Sequence, residues 1–340
     1  MLNRSILVFL LLQLFLNTAF TQSFDPVNKN ASPAARELLQ YLYSVSGKKI
    51  ISGQCISDKD MDKWPQYIKD ITGKLPVVWG SGFYHYYVDG YADKIVNEAI
   101  KRYQEGHIIT LMWHTGRPQD NPPFDWKTST QGEMTDKEWK ELTTPGTPLY
   151  KKWESRVDTI AGYLKKLQRA KVPVLWRPYH EMNGVWFWWG DKKGENGYVK
   201  LWKMMYDRFV HHHKLNNLIW VWNANAPRDL KDDEAYDYNL YFPGSDYVDV
   251  LAADVYHNDY KQSHHDDLLK LAKGKLIALG EVGEVPGPEI LKQQPMWTWF
   301  MIWVQWAKTH NTPEQIKKLY NYPETLSLEE VRAEKHKFNR

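Results

Sequence analysis

Eight short apolar runs recur along this chain, separated by helical or loop-like stretches. They span Lys48–Gln54, Pro76–Tyr84, His107–Thr115, Val172–Glu181, Asn217–Asn225, Tyr247–Tyr256, Lys275–Gly283 and Trp297–Trp306. Apolar runs of this length, bounded by Gly, Pro and polar residues, read as buried strands. Between them, Tyr91–Glu105, Tyr150–Ala170 and Tyr198–Lys214 show helical apolar spacing among many charges. Strands alternating with helices pair in parallel, because each crossover returns the chain to the same end of the sheet. Eight such units predict an α/β fold, a (β/α)8 TIM barrel, with a doubly wound open sheet as the competing topology. The 340 residues suit one such domain, and no Pro/Ser-rich linker or internal repeat divides them. Arg117 to Pro148, rich in Pro, Thr, Asp and Gly, follows the third run and is expected to lie over the cleft as a long loop.

The first residues read as a secretory signal. Arg4 precedes the almost wholly apolar Ile6 to Leu16, and small or polar residues follow around Thr18 to Ser23. Residues 1–22 are therefore expected to be removed, leaving 23–340 in a secreted or periplasmic protein. The apolar part is too short for a membrane span, and nothing later could cross a bilayer. Cys55 is the only cysteine, so no intramolecular disulfide forms. A net charge of +3 without a Lys/Arg block argues against a nucleic-acid partner, and the chain is expected to be a monomer.

Polar residues collect where these runs end. Trp113-His114 closes the third, His180-Glu181 the fourth, and Asn223 and Asn225 the fifth. Asp254-Val255-Tyr256 closes the sixth, Gly280-Glu281 the seventh, and Trp299 and Trp303 lie in the eighth. In a barrel these converge on one face, the face that carries catalysis. Trp186, Trp188 and Trp189 follow Glu181 at once and offer flat apolar faces suited to a sugar ring. Two strand-end carboxylates, Glu181 and Glu281, across an aromatic cleft are the apparatus of glycoside hydrolysis: one donates a proton, the other attacks or assists water. Glu284 is a rival carboxylate, but it lies past Gly283 in a loop.

Other constellations fade. His180-Glu181 begins like a zinc-protease helix, yet Gly184 stands where the second His is required. His211-His212-His213 and His264-His265 read as solvated helix faces. No nucleophile elbow, phosphate loop or dinucleotide fingerprint occurs, so neither a cofactor nor a metal is expected.

At these residues the chain resembles glycoside hydrolase family 26, whose best-known members are β-mannanases. Trp176 to Gly190, reading W-R-P-Y-H-E-M-N-G-V-W-F-W-W-G, is similar to the family's acid/base signature, and Gly280-Glu281 to its nucleophile site. Ile51-Ser52-Gly53-Gln54, Met112-Trp113-His114, Asp254-Val255-Tyr256 and the closing Tyr320-Asn321-Tyr322-Pro323 with Thr325-Leu326 extend the resemblance over nearly the whole mature chain. It implies a (β/α)8 barrel and a retaining double displacement on internal β-1,4 bonds of mannan, glucomannan or galactomannan. Glu181 would be the acid/base and Glu281 the nucleophile. His180 would bond the sugar or orient the carboxylates. Tyr256 would hydrogen-bond Glu281, and Arg177 would be a second partner for it. His114, Trp186 and Trp303 would line the subsite of the sugar to be cleaved. Family alternatives are chain-end release of mannobiose, or action on mixed-linkage glucan or β-1,3-xylan. A non-catalytic sugar-binding barrel is the reading from another class.

Overall fold

The computed structural model describes residues 25–338. The expected signal segment, residues 1–22, lies outside them. The barrel's first stave is split at Ser52 into β1 (Ile50–Ile51) and β2 (Gly53–Cys55). The other seven are β3 (Val78–Gly82), β4 (Ile108–Trp113), β5 (Val174–Pro178), β6 (Leu218–Asn225), β7 (Val250–Val255), β8 (Leu276–Val282) and β9 (Trp297–Ile302). Every neighbouring pair is parallel, and β9 closes the ring by pairing with β8 on one side and with β1 and β2 on the other. This is the (β/α)8 barrel, not the open sheet. Each stave coincides with one of the eight apolar runs, because strands covered on both faces are predominantly apolar, with polar residues few and gathered mostly toward their carboxyl-terminal ends.

A short further strand, β10 (Thr325–Leu326), pairs with Ile50 and Ile51 of β1. Its neighbourhood bridges a gap between the first two staves. Ser52 donates its hydroxyl to Leu326 O, and Ser52 O accepts from the backbone N–H groups of Val77 and Val78.

Helices wrap the outside, and the longest is the Pro148–Arg169 helix. Thr147 caps it by accepting from Tyr150 N, and Pro148 occupies the first helical position, where its missing N–H costs nothing. Leu149, Trp153, Val157, Ile160, Leu164 and Leu167 form the stripe it buries. The jacket between helices and barrel is aromatic: Trp79, Trp113, Trp153, Trp176, Trp202, Trp220, Trp222 and Trp297 are all buried. Each contributes a large apolar area to one continuous core.

Two expectations are corrected. The Arg117–Pro148 segment is not structureless: it forms a π turn over Trp126–Thr130 and an α-helix over Asp136–Leu142. His264 and His265 are buried, not solvated. On the Gln262–Ala272 helix they share an inward stripe with Leu268 and Ala272, and an apolar stripe about 100° wide admits two adjacent residues. His265 Nδ1 lies 2.7 Å from Asp266 and its Nε2 accepts from Met296 N, whereas His211 is exposed and His213 pairs with Asp158 at 2.6 Å.

Candidate active site

The carboxyl-terminal ends of the staves surround a cleft of about 710 Å³ lined by His114, His180, Glu181, Trp186, Tyr256, Glu281 and Trp303, among others. Seven of the eight site residues expected from the sequence line it. The eighth, Arg177, lies just beneath and bonds Glu281. A second lobe of about 270 Å³ shares His114, Trp126 and Trp303 with the first and runs on past Tyr84, His85 and Asp58.

Glu281 sits inside β8, paired in register with Asp254 of β7 just past a bulge. Its Oε1 accepts from Arg177 Nη2 at 2.7 Å, and its Oε2 accepts from the Tyr256 hydroxyl at 2.7 Å. Burial, and then the charge of Glu281, holds the Tyr256 phenol well above its usual range, so it stays a donor. Arg177 also donates to Asn223 Oδ1. The Asn223 side chain leaves no room for a Cβ at residue 280, which explains the glycine of Gly280-Glu281.

Glu181 lies past the end of β5, on a turn that places Tyr179 and Glu181 at φ 47° and 53°. Non-glycine residues in this left-handed region cost about 1–2 kcal/mol each, and the surrounding bonds must hold them there. Glu181 N donates to Asn223 O and Gly184 N to Glu181 O. The turn presents a carboxyl whose Oε1 accepts from Asn225 Nδ2 and whose Oε2 accepts from Trp186 Nε1, both at 2.8 Å.

Electrostatics separates the two glutamates. Three buried carboxyls, those of Glu181, Glu281 and Asp254, share one fully buried cation, Arg177. Arg177 lies 2.7 Å from Glu281 and 3.6 Å from Asp254. Burial, reinforced by the charge of Glu281, pushes Glu181 up to about 7; Asn225, Trp186 and Arg228 pull the other way. Burial and then Glu281 also raise Asp254 well above the usual carboxylate range. Glu181 thus keeps a proton to donate near neutral pH, beside a carboxylate held by a guanidinium and a phenol.

His180 lies 3.5 Å from Glu281, and its ring packs edge-on against His114 at 4.5 Å between centroids. Burial drives both imidazoles well below their ordinary range, followed by the charge of Arg177 for His180 and of His180 for His114. Both are neutral.

His180, Asp254 and Glu281 form the one metal-ligand cluster among the described residues. The Arg177 guanidinium already supplies the positive charge there, and a cation lodged between these groups would face it at close range.

The aromatic run after Glu181 divides in a way its sequence hides. Trp186 faces the cleft, but Trp188 and Trp189 are fully buried and offer no face to a ligand. They brace the site: Trp188 Nε1 donates to Thr115 O and Trp189 Nε1 to His180 O, each at 2.8 Å. Trp299 is buried inside the barrel, whereas Trp303, one residue past β9, reaches the cleft. Trp126 lines both lobes and meets the rings of Tyr84, His114 and Phe187 at 5.2–5.8 Å; no sequence pattern singled it out, because its loop position carries no periodicity. Asn225 was visible only as a polar strand end. Arg228, from the following loop, had no signal at all.

The family model for glycosyl hydrolase family 26 matches residues 27–330. A mannan endo-1,4-beta-mannosidase of Thermothelomyces thermophilus is 35% identical over 90% of this chain, which spans 63% of that protein. For mannan endo-1,4-beta-mannosidase A of Piromyces sp the figures are 31%, 90% and 50%, so the chain spans about half to two thirds of these relatives. Among solved structures, GH26A from Muricauda sp. MAR_2010_75 is 55% identical, with a TM-score of 0.87 over 89% of this chain and 99% of that one. A beta-mannanase from a symbiotic protist of the termite Reticulitermes speratus, complexed with gluco-manno-oligosaccharide, is 30% identical, with a TM-score of 0.79 over 91% of this chain and 98% of that one.

Proposed function

The chain belongs to glycosyl hydrolase family 26, and on that footing we propose that it is a secreted, retaining endo-β-1,4-mannanase. The observation that carries the catalytic part is the split between the two glutamates: one held by Arg177 and Tyr256, the other pushed up to about 7. In the first step Glu281 attacks the anomeric carbon while Glu181 protonates the departing glycosidic oxygen, giving a covalent glycosyl-enzyme. In the second, Glu181, now ionised, takes a proton from water, which displaces Glu281 and restores both groups. His114, His180, Trp186 and Trp303 surround the sugar at the point of cleavage.

Internal cleavage is supported by the two lobes. The larger lobe holds both glutamates and with them the scissile bond; the leaving group lies on the side of its proton donor, so the end of that lobe beside Glu181 and Arg228 takes the aglycone. The lobe past Trp303 toward Tyr84, His85 and Asp58 takes the glycone. Chain can then continue on both sides of the scissile bond. Mannan as substrate is supported by the names of the relatives, and the protist enzyme's bound gluco-manno-oligosaccharide favours tolerance of glucose. Export is supported by the apolar run Ile6 to Leu16 after Arg4, and among the described residues no helix is long and apolar enough to cross a membrane.

Product analysis over time on galactomannan and manno-oligosaccharides tests the reading. A mixture of lengths with rapid viscosity loss is expected. Mannobiose alone from the outset, at nearly constant viscosity, excludes endo action, and no hydrolysis of any mannan excludes the mannanase reading.

A further inference from the structure

Arg228 forms no hydrogen bond to Glu181, yet it holds both of that carboxyl's donors from behind. Its Nη1 donates to Asn225 Oδ1 at 2.7 Å, and its guanidinium lies 4.9 Å from the centre of the Trp186 ring. Arg228 is itself fixed: Nη2 donates to Asp233 Oδ1 at 2.7 Å and Nε to Asp233 O at 3.0 Å. Its backbone exchanges two 2.9 Å hydrogen bonds with Ala235. We propose that Arg228 is a positioning residue that sets the orientation and proton affinity of Glu181. The proposal rests on the acid/base reading of Glu181.

The two ends of the Asn225 amide differ in what they can offer a carboxyl. Asn225 can present either its NH2 or its oxygen to Glu181. Because Arg228, which has donors only, claims Oδ1, the NH2 end must face the carboxyl. Freed from Arg228, the amide can turn round and accept from a protonated Glu181 instead. That favours the neutral acid, as does loss of the nearby positive charge. The guanidinium over Trp186 likewise fixes the ring whose N–H reaches the other oxygen. Arg228 therefore keeps the acid from binding its proton too tightly and keeps its oxygens aimed. The charged and titratable groups facing this assembly are Glu281, Asp254, Tyr256 and His180 on the barrel side. Asp232, Asp233 and His257 face it from the cleft rim, with His257 3.9 Å from Asp233.

The test compares the pH dependence of kcat/KM for the parent, Arg228→Met and Arg228→Lys, on a manno-oligosaccharide and on an aryl β-mannoside with a good leaving group. In Arg228→Met the alkaline limb should move up by about one pH unit, the worth of one hydrogen bond to a charged group. Oligosaccharide turnover should fall about ten- to a hundredfold while cleavage of the aryl substrate is largely spared. Arg228→Lys keeps the charge but not the planar fork, so it should shift the limb less and remain measurable if the Met variant folds poorly. An unmoved limb, with equal losses on both substrates, overturns the proposal. Glu181→Ala measured alongside separates the two levels: failure to discriminate between leaving groups there removes the acid/base reading itself, and the role of Arg228 with it.

Discussion

Arg177 donates to Glu281 across 2.7 Å, and neither side chain is more than 3% exposed. A guanidinium here is a fixed fork: one arm serves the Glu281 carboxylate, while the other reaches Asn223 and lies 3.6 Å from Asp254. Lysine offers one compact ammonium and cannot span these partners. Arg177→Lys should cut kcat/KM by about 10²-fold or more. Arg177→Ala should cost about 3–5 kcal/mol of stability, because it leaves Glu281 buried and unpaired. Denaturant unfolding beside steady-state kinetics checks both; an Ala variant as stable as the parent would show that the pair does not hold the site together.

Glu281→Ala should lose about 10⁴–10⁶-fold in turnover, the range for deleting a nucleophile, with the fold retained. Near-normal activity on mannan would remove Glu281 from the nucleophile role. Circular dichroism distinguishes lost chemistry from lost structure.

Glu181→Ala should slow natural polymers by about 10²–10⁴-fold, yet spare the first step on substrates that need no proton. Burst kinetics with an activated aryl mannoside would then show glycosyl-enzyme accumulating, because the base for the second step is gone. Equal losses on both substrate types would count against the acid.

The raised Glu181 also makes a stability prediction. In the folded state it titrates near 7, against an ordinary value of 4.5. Between those values the native protein holds a proton that the unfolded chain has released, so stability falls as pH rises through the window. Glu181→Gln cannot ionise. Its Tm relative to the parent should therefore rise between pH 4.5 and about 7, by the equivalent of about 1–3 kcal/mol, and level off above. A difference independent of pH would show that burial does not raise this carboxyl.

Chelators should leave activity unchanged, since the Arg177 guanidinium already supplies the positive charge beside Glu281 and Asp254. Loss of activity in EDTA, restored by a divalent ion, would reopen the cluster His180, Asp254 and Glu281.

Much of this arrangement was legible in the residues, and the exceptions have physical causes. The staves were visible because buried parallel strands are predominantly apolar. Glu281 was visible because a charge inside such a run needs a reason. Trp188 and Trp189 read as sugar platforms and are core instead: after the left-handed turn at Glu181 the chain no longer alternates, and composition does not say which rings face inward. Trp126 and Arg228 arrive from loops, whose course is set by tertiary contacts rather than by local pattern. The two-residue β10 is too short to carry a periodic signal.

That small strand has a consequence for how the protein is made. Ile50 and Ile51 are among the first barrel residues to leave the ribosome, and their partners Thr325 and Leu326 are among the last. Ser52, where the first stave breaks, has its own hydroxyl bonded to Leu326. A nascent chain emerging in order can assemble seven staves one after another, but the seam beside the first must wait. Until β9 arrives the barrel stands with an open edge, and the small strand that follows latches the broken first stave in place once β9 has closed the ring.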